Sequence, residues 1–296
     1  MKKLVFTGSG VALVTPMKKD GSINYEVLSD LIEFHINNGT DAIIACATTG
    51  ESPVLNHEEH CAAIRFIVNH VNKRVPVIAS SGSNDTNYAV ELSRSAQELG
   101  ADALLMVTPY YNKTSQAGLV KHYNYVADRV DLPIILYNVP SRTGCNIKPE
   151  TYFELSKHPN IAATKEANGD ISSVAKTISL CGDNLAVYSG EDNQTLPILA
   201  LGGKGVISVF ANVLPHVMHQ ICADYFAGDL AASREAFLKH FELMDALFMD
   251  VNPIPVKAAM KMLGTDCGEC RLPLTSMSAE ALQTLASVLK KYELIK

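Results

Sequence analysis

Lys165 closes the run Ile161-Ala162-Ala163-Thr164-Lys165, placing an amine at the end of an otherwise apolar stretch of strand length. A lysine whose stem lies in a dry pocket loses hydration of its charged form, and its pKa falls. A neutral amine is what attack on a ketone requires. The plain alternative is a structural salt bridge, with Glu166 the nearest partner in sequence. Forming and dehydrating a carbinolamine also needs a group that gives and takes protons without permanent charge. A phenol of pKa about 10 can do this when hydroxyls relay its proton. Tyr137, Thr48 or Thr49, and Tyr111 are the candidates for such a chain. Tyr110 and Tyr111 have an equally ordinary use as a cap on a core or as interface filler. Arg142, within Pro140-Ser141-Arg142-Thr143-Gly144, suits a guanidinium fork held against a carboxylate, or else a solvated loop arginine.

Other groupings carry less chemistry. His57-Glu58-Glu59-His60 spaces its histidines three apart, whereas a metalloprotease helix needs four. His216 and His219 read as helix-surface residues. Cys267-Gly268-Glu269-Cys270 is a CxxC without a second pair or nearby histidines, so an ordinary loop is expected there. No residue set suggests a metal site. Leu201-Gly202-Gly203-Lys204-Gly205 resembles a phosphate loop, but it precedes a strand and reads better as a tight turn.

Something must bring the lysine, the tyrosines and the arginine together. Short apolar runs recur along the chain: Gly10–Val14, Ala42–Cys46, Val75–Ala79, Ala103–Val107, Pro133–Tyr137, Ile161–Lys165, Leu185–Ser189 and Gly205–Val209. Nearly continuous hydrophobicity over strand length marks strands buried on both faces of a parallel sheet. Helical stretches alternate with them, among them Tyr25–Asn38, Glu58–Asn72, Asn84–Leu99 and Gln116–Val130. Gly39 and Gly100 follow two of these directly, as helix C-termini favour. Eight such units predict an α/β fold of the (β/α)8 TIM-barrel type, and no GxGxxG supports a dinucleotide-binding sheet. In such barrels the catalytic groups sit where strands run into their following helices, which is where every candidate above lies. From about Asn212 the pattern is wholly helical, with segments near Pro215–Phe226, Ala231–Met249, Ile254–Leu263 and Ala279–Lys291. The expected division is a barrel over residues 1–225 carrying the active site and a helical region over 226–296 packed on it.

Composition agrees with an enzyme of small molecules. The 296 residues are 47% hydrophobic, enough for a large core. Acidic groups outnumber basic ones, 31 to 25, which leaves no electrostatic footprint for nucleic acid or an anionic membrane. The opening residues Met1–Gly8 lack the apolar core of a leader, and no run of about 18 apolar residues follows. Seven cysteines, odd in number and set in apolar segments, read as thiols in a reducing cytoplasm.

Together, Thr48-Thr49-Gly50-Glu51, Val107-Thr108-Pro109-Tyr110-Tyr111-Asn112, Tyr137-Asn138-Val139-Pro140-Ser141-Arg142-Thr143-Gly144 and Lys165-Glu166-Ala167 resemble the dihydrodipicolinate synthase family. Asn252-Pro253-Ile254-Pro255-Val256-Lys257 and Arg271-Leu272-Pro273-Leu274 extend the resemblance over nearly the whole chain. The lysine, the Tyr-Asn pair and Thr-Gly-Glu are shared with N-acetylneuraminate lyase and related pyruvate-dependent class I aldolases, so Ser141-Arg142-Thr143-Gly144 is the more discriminating signature. Ala47 departs from a glycine usual before the two threonines.

The resemblance implies that Lys165 forms an imine with pyruvate and Tyr137 shuttles protons. It implies that Thr49 links Tyr137 to Tyr111, the latter reaching into an adjacent subunit's site. Backbone groups of Thr48 and Thr49 would hold the pyruvate carboxylate, Arg142 would bind that of aspartate semialdehyde, and Gly190 and Ile207 would line the pocket. No cofactor is implied. The partners are the two substrates and further copies of the chain, as a tetramer built from two dimers, in lysine and diaminopimelate biosynthesis. The rival readings are another pyruvate-dependent aldolase, acting on sialic acid or a keto-deoxy sugar acid, and a barrel isomerase or binding protein without imine chemistry. Lysine-sensitive relatives bind that effector in a cleft matched here by Ser52, His57, His60, Asn84 and Tyr110. Tyr88 stands where a glutamate receives the effector's ammonium, and Pro53 where a small residue is usual. Weak or absent inhibition by lysine is therefore expected, with Glu91 one helical turn on as a partial substitute.

Overall fold

The computed structural model describes residue 2 and residues 4–296; Met1 and Lys3, part of the segment read above for a leader, lie outside the described residues. The chain builds eight strands: β1 (Gly8–Ala12), β2 (Ala42–Ala45), β3 (Val77–Ser80), β4 (Ala103–Val107), β5 (Ile134–Asn138), β6 (Ile161–Glu166), β7 (Ala186–Ser189) and β8 (Gly205–Ser208). Each pairs in parallel with the next, and β8 returns to β1, closing the barrel. The expected (β/α)8 architecture is the one observed. The largest displacement is at β1, which begins at Gly8 rather than Gly10. Gly8 and Ser9 carry no apolar signal, yet a ladder needs only their backbone.

Alternation divides the strands into two faces. Ala12, Ala42, Ile44, Ile78, Ala103, Leu105, Ile135, Ala163 and Ile207 fill the barrel interior. Val11, Ile43, Leu104, Leu136 and Ile161 pack outward against the helices. The floor is closed by Phe6 and Tyr188, whose rings stack at 4.3 Å between centroids while the Tyr188 hydroxyl donates to the Phe6 carbonyl at 2.6 Å. The glycine turn before β8 lies at this floor, as expected, with Gly202 and Gly205 at positive φ. A Cβ on Gly205 would fall 1.9 Å from the Gly8 carbonyl oxygen, so only glycine fits there.

The β5–β6 seam is irregular. Ile134 pairs with Ile161, but Ile135 pairs with Ala163, leaving Ala162 as a bulge. Ile161 therefore faces the helices although Ala163 and Lys165 face inward. Beyond the bulge Tyr137 is level with Lys165, and Asn138 with Glu166.

Helices follow the strands, among them Tyr25–Asn37, His57–Val71, Thr86–Glu98 and Gln116–Ala127. Their starts are set by side-chain caps. Asn24 accepts from the Val27 amide, Asn56 and Glu59 form a reciprocal capping box, and Asp85 accepts from the Asn87 and Tyr88 amides. Gly39 and Gly100 take φ of 82° and 88° just past two helix ends. Helix Gln116–Ala127 stops three residues short of the expected Val130, capped by Asp128. The helix after β8, Pro215–Ala227, runs across residue 225 and packs against β1 and helix Leu230–Ala246. Helices Ile254–Met262 and Ala279–Lys291 complete the chain. The late residues are fastened to the loop after β2. Lys257 donates to Glu51 at 2.7 Å, both side chains being buried, and Arg271 grips Glu59 with both terminal nitrogens.

Candidate active site

The strand ends bring Lys165, Tyr137, Thr48, Gly190 and Arg142 to one mouth of the barrel. Lys165 is 4% exposed, and burial lowers its pKa to about 8. A buried Asp192 carboxylate pulls it up and the Arg142 guanidinium pushes it down. No carboxylate lies within salt-bridge distance of it among the described residues. The structural salt bridge to Glu166 is absent because successive strand residues point to opposite faces. Glu166 turns outward, where Tyr152 donates to it at 2.8 Å and Asn138 at 2.8 Å. Burial pushes this carboxyl up to about 7 against those two donors.

The Lys165 nitrogen lies 4.3 Å from the centroid of the Tyr137 ring. Burial raises the Tyr137 pKa, while Arg142 and a hydrogen bond with Thr48 draw it down. Gly190 packs directly on the lysine stem. A Cβ there would meet Ala167 Cβ at 2.8 Å, the Glu166 carbonyl at 3.0 Å and Lys165 Cγ at 3.1 Å. Ile207, fully buried on β8, belongs to the same interior cluster as Tyr137.

Of the two threonines, Thr48 rather than the expected Thr49 stands beside the Tyr137 hydroxyl, and Thr48 and Tyr137 line one cavity. Thr49 faces the other way: its hydroxyl accepts from Asn252 Nδ2 at 3.0 Å, and it is buried. The two threonines sit in a turn closed by the Glu51 amide donating to the Thr48 carbonyl at 3.0 Å, which sends their side chains apart, and sequence alone could not say which was inward. Tyr111 meets neither residue within this chain. It is 92% exposed, with φ of 67°, and projects from the barrel. Arg142 is exposed, on the short helix Pro140–Thr143, and its Nη2 donates to the Asn252 carbonyl at 3.5 Å. Asn252 thus touches both Thr49 and Arg142, a link no motif announced.

Asp192, whose carboxylate acts on the Lys165 amine, was not among the expected site residues. Its Oδ2 accepts from the Val209 and Phe210 amides at 3.1 and 2.8 Å. Burial raises its pKa. The signal was present in Ser189-Gly190-Glu191-Asp192 at the end of β7.

Of the candidate effector cleft, Ser52, His60, Tyr88 and Tyr110 line one cavity of about 280 Å³, which also reaches Pro53, Thr48 and Tyr137. His60 Nε2 lies 2.8 Å from the Ser80 carbonyl. His57 and Asn84 are not in its wall. His57 sits beside it, 3.7 Å from Glu91, and the Asn84 carbonyl accepts from Asn112. Among the described residues no cluster of three or more His, Cys, Asp or Glu could hold a metal ion, and no helix is long and apolar enough to cross a membrane. Cys267 and Cys270 are free thiols in a loop.

A closed parallel barrel with a buried amine at its mouth, roofed by a tyrosine and flanked by an arginine, defines the class: a (β/α)8 barrel with a strand-end lysine site. Residues 5–292 match the dihydrodipicolinate synthetase family, and the chain belongs to it. The chain is 52% identical over 295 residues to 4-hydroxy-tetrahydrodipicolinate synthase of Acetivibrio thermocellus, covering 100% of both chains. The crystal structure of dihydrodipicolinate synthase from Aquifex aeolicus superposes with a TM-score of 0.95 at 48% identity, over 98% of this chain and 99% of that one. The chloride-inhibited synthase of Acinetobacter baumannii, complexed with pyruvate, gives 0.96 at 43%, over 98% and 99%.

Proposed function

We propose that this chain is a 4-hydroxy-tetrahydrodipicolinate synthase, condensing pyruvate with L-aspartate 4-semialdehyde through an imine on Lys165. The observation that carries the reading is the buried Lys165 amine, lowered to about 8, beneath the Tyr137 ring. At pH 7 such an amine is neutral in roughly one molecule in ten, against roughly one in three thousand for an ordinary lysine. Lys165 Nζ attacks the pyruvate keto carbon, and the oxygen takes a proton from Tyr137, which Thr48 resupplies. The carbinolamine loses water to give the imine. Loss of a methyl proton gives the enamine, whose carbon attacks the aldehyde carbon. The aldehyde oxygen takes up a proton and becomes the 4-hydroxyl. The semialdehyde amine then closes on the imine carbon and displaces Lys165 with its proton restored. Atoms balance as one water released per turnover.

The backbone of Thr48 and Thr49 would hold the pyruvate carboxylate, with Gly190 and Ile207 shaping the wall. Arg142 would take the carboxylate of the second substrate. Tyr111, projecting from its own barrel, would serve a neighbouring subunit in a tetramer of paired dimers. The site belongs to the barrel, residues 1–225, with 226–296 packed upon it, and the reduced cysteines fit a cytoplasmic enzyme. The test is a coupled assay with pyruvate and aspartate semialdehyde, run beside pyruvate with N-acetylmannosamine and with sugar aldehydes. Turnover confined to the sugar aldehydes would reassign the substrate, and no pyruvate adduct at all would remove the imine.

A further inference from the structure

The chemistry assigned to Lys165 and Tyr137 needs the two side chains at a fixed separation, yet no hydrogen bond is recorded between them. They stand on adjacent strands at a level reached only after the bulge at Ala162. The next rung is where the strands are tied. Asn138 follows Tyr137 and Glu166 follows Lys165, and both turn to the outer face of the wall. There Asn138 Nδ2 donates to Glu166 Oε1 at 2.8 Å. Glu166 Oε2 accepts from the Tyr152 hydroxyl at 2.8 Å, and that hydroxyl accepts from Thr164 at 3.1 Å. Tyr152 and Thr164 are fully buried, and so are the Asn138 and Glu166 side chains.

Asn138 holds a third element. Its Oδ1 accepts from the Ile147 amide at 3.1 Å, and its Nδ2 is also 2.7 Å from Asn146 Oδ1. The loop between, 139–147, carries Arg142. One side chain thus closes the arginine loop at its far end and clamps β5 to β6. Cutting this connection leaves buried donors unpaired and frees two strand ends at once.

We propose that Glu166, acting through Asn138, is a positioning residue that holds the Lys165 amine and the Tyr137 phenol at reacting separation. It touches no substrate. The proposal rests on the imine reading above, and the experiment separates the two. The readout is the rate at which pyruvate and borohydride label the folded enzyme, measured well below its melting temperature and mapped by peptide mass.

Glu166→Ala should lower the plateau rate of labelling about tenfold or more, since small misplacements of reacting groups cost that much. Its pH midpoint should stay where wild type has it, because the amine's environment inside the barrel is unchanged. Glu166→Gln keeps an acceptor for Asn138 and should recover most of the rate. Asn138→Ala should reproduce the Glu166→Ala defect, and the double variant should be little worse than either single one. If Glu166→Ala does not fold, Asn138→Ser carries the same expectation with a smaller cavity.

Labelling of folded Glu166→Ala at the wild-type rate would overturn the proposal, leaving Glu166 a purely structural group. So would a displaced pH midpoint with the plateau preserved, which would mean an electrostatic role instead. Multiplying defects in the double variant would also count against it. Absence of any label in wild type would instead remove the imine reading on which the proposal stands.

Discussion

The Lys165 amine rests over the face of the Tyr137 ring, 4.3 Å from its centroid, and not against the hydroxyl. A ring face attracts a cation, which offsets part of the cost of burying the ammonium. In the proposed reaction this leaves the Tyr137 hydroxyl to serve the oxygen of the keto acid.

Labelling of Lys165 by pyruvate and borohydride should rise about tenfold per pH unit below pH 8 and level off above it, because only the neutral amine attacks. Lys165→Met should abolish labelling and leave the melting temperature unchanged or higher, since a charge is no longer buried at neutral pH. Label on another lysine, or a midpoint near 10.5, would contradict the assignment.

The two threonines should separate cleanly. Thr48→Val removes the hydroxyl beside Tyr137 and should lower kcat by about 10²-fold or more, with stability little changed. Thr49→Val strands the Asn252 side-chain donor, at a cost of about 1–3 kcal/mol of stability, and should spare more of the activity. Thermal melts and steady-state kinetics on both variants check this, and the reverse pattern would restore Thr49 to the relay.

Arg142→Ala should raise the KM for the aldehyde by about 10- to 100-fold, the worth of one charge-assisted contact, while pyruvate labelling persists. A variant that lost labelling but kept its aldehyde KM would give Arg142 another task.

Tyr111 offers a test of the assembly. Tyr111→Phe should lower kcat with the fold intact, because an exposed side chain loses only its hydroxyl. Mixed with inactive Lys165→Ala after subunit exchange, it should regain activity, since a hybrid dimer has one site built from intact parts. Proven exchange without any recovery would place Tyr111 outside a shared site.

L-lysine should inhibit weakly. Tyr88 and Pro53 line the cavity that also reaches Thr48 and Tyr137, and a phenol offers an ammonium no full negative charge. Glu91, the nearest carboxylate along the helix, lies 3.7 Å from His57. Half-inhibition well below about a millimolar, roughly -4 kcal/mol of binding, would show that the cleft compensates for the missing charge.

The barrel was legible because its strands are buried on both faces, so Val and Ile runs and helix caps announce each unit. Lys165, Tyr137 and Arg142 were legible for a related reason: polar groups at the ends of apolar strands have little else to do there. What sequence could not carry was facing. Thr48 and Thr49 are chemically identical neighbours, and only the three-dimensional turn separates the one beside Tyr137 from the one held by Asn252. Glu166 beside Lys165 suggested an ion pair, whereas strand alternation sends the two to opposite sides of the wall. Asn252 and Asp192 were hidden because their partners lie far away in the chain or are backbone amides.

The bulge at Ala162 has the character of a frame shift. Lys165 lies four positions after Ile161, so an unbroken strand would present both to the same side, toward the surrounding helices. One unpaired alanine exchanges the parity of everything after it. Odd-numbered Ile161, before it, looks outward; odd-numbered Ala163 and Lys165, after it, look inward. Pairing Ala162 as an ordinary rung would leave the sequence untouched, yet would put Glu166 and Thr164 in the lumen and the amine among the helices. The chemistry of this barrel thus depends on a residue with no reactive group, whose contribution is to be counted.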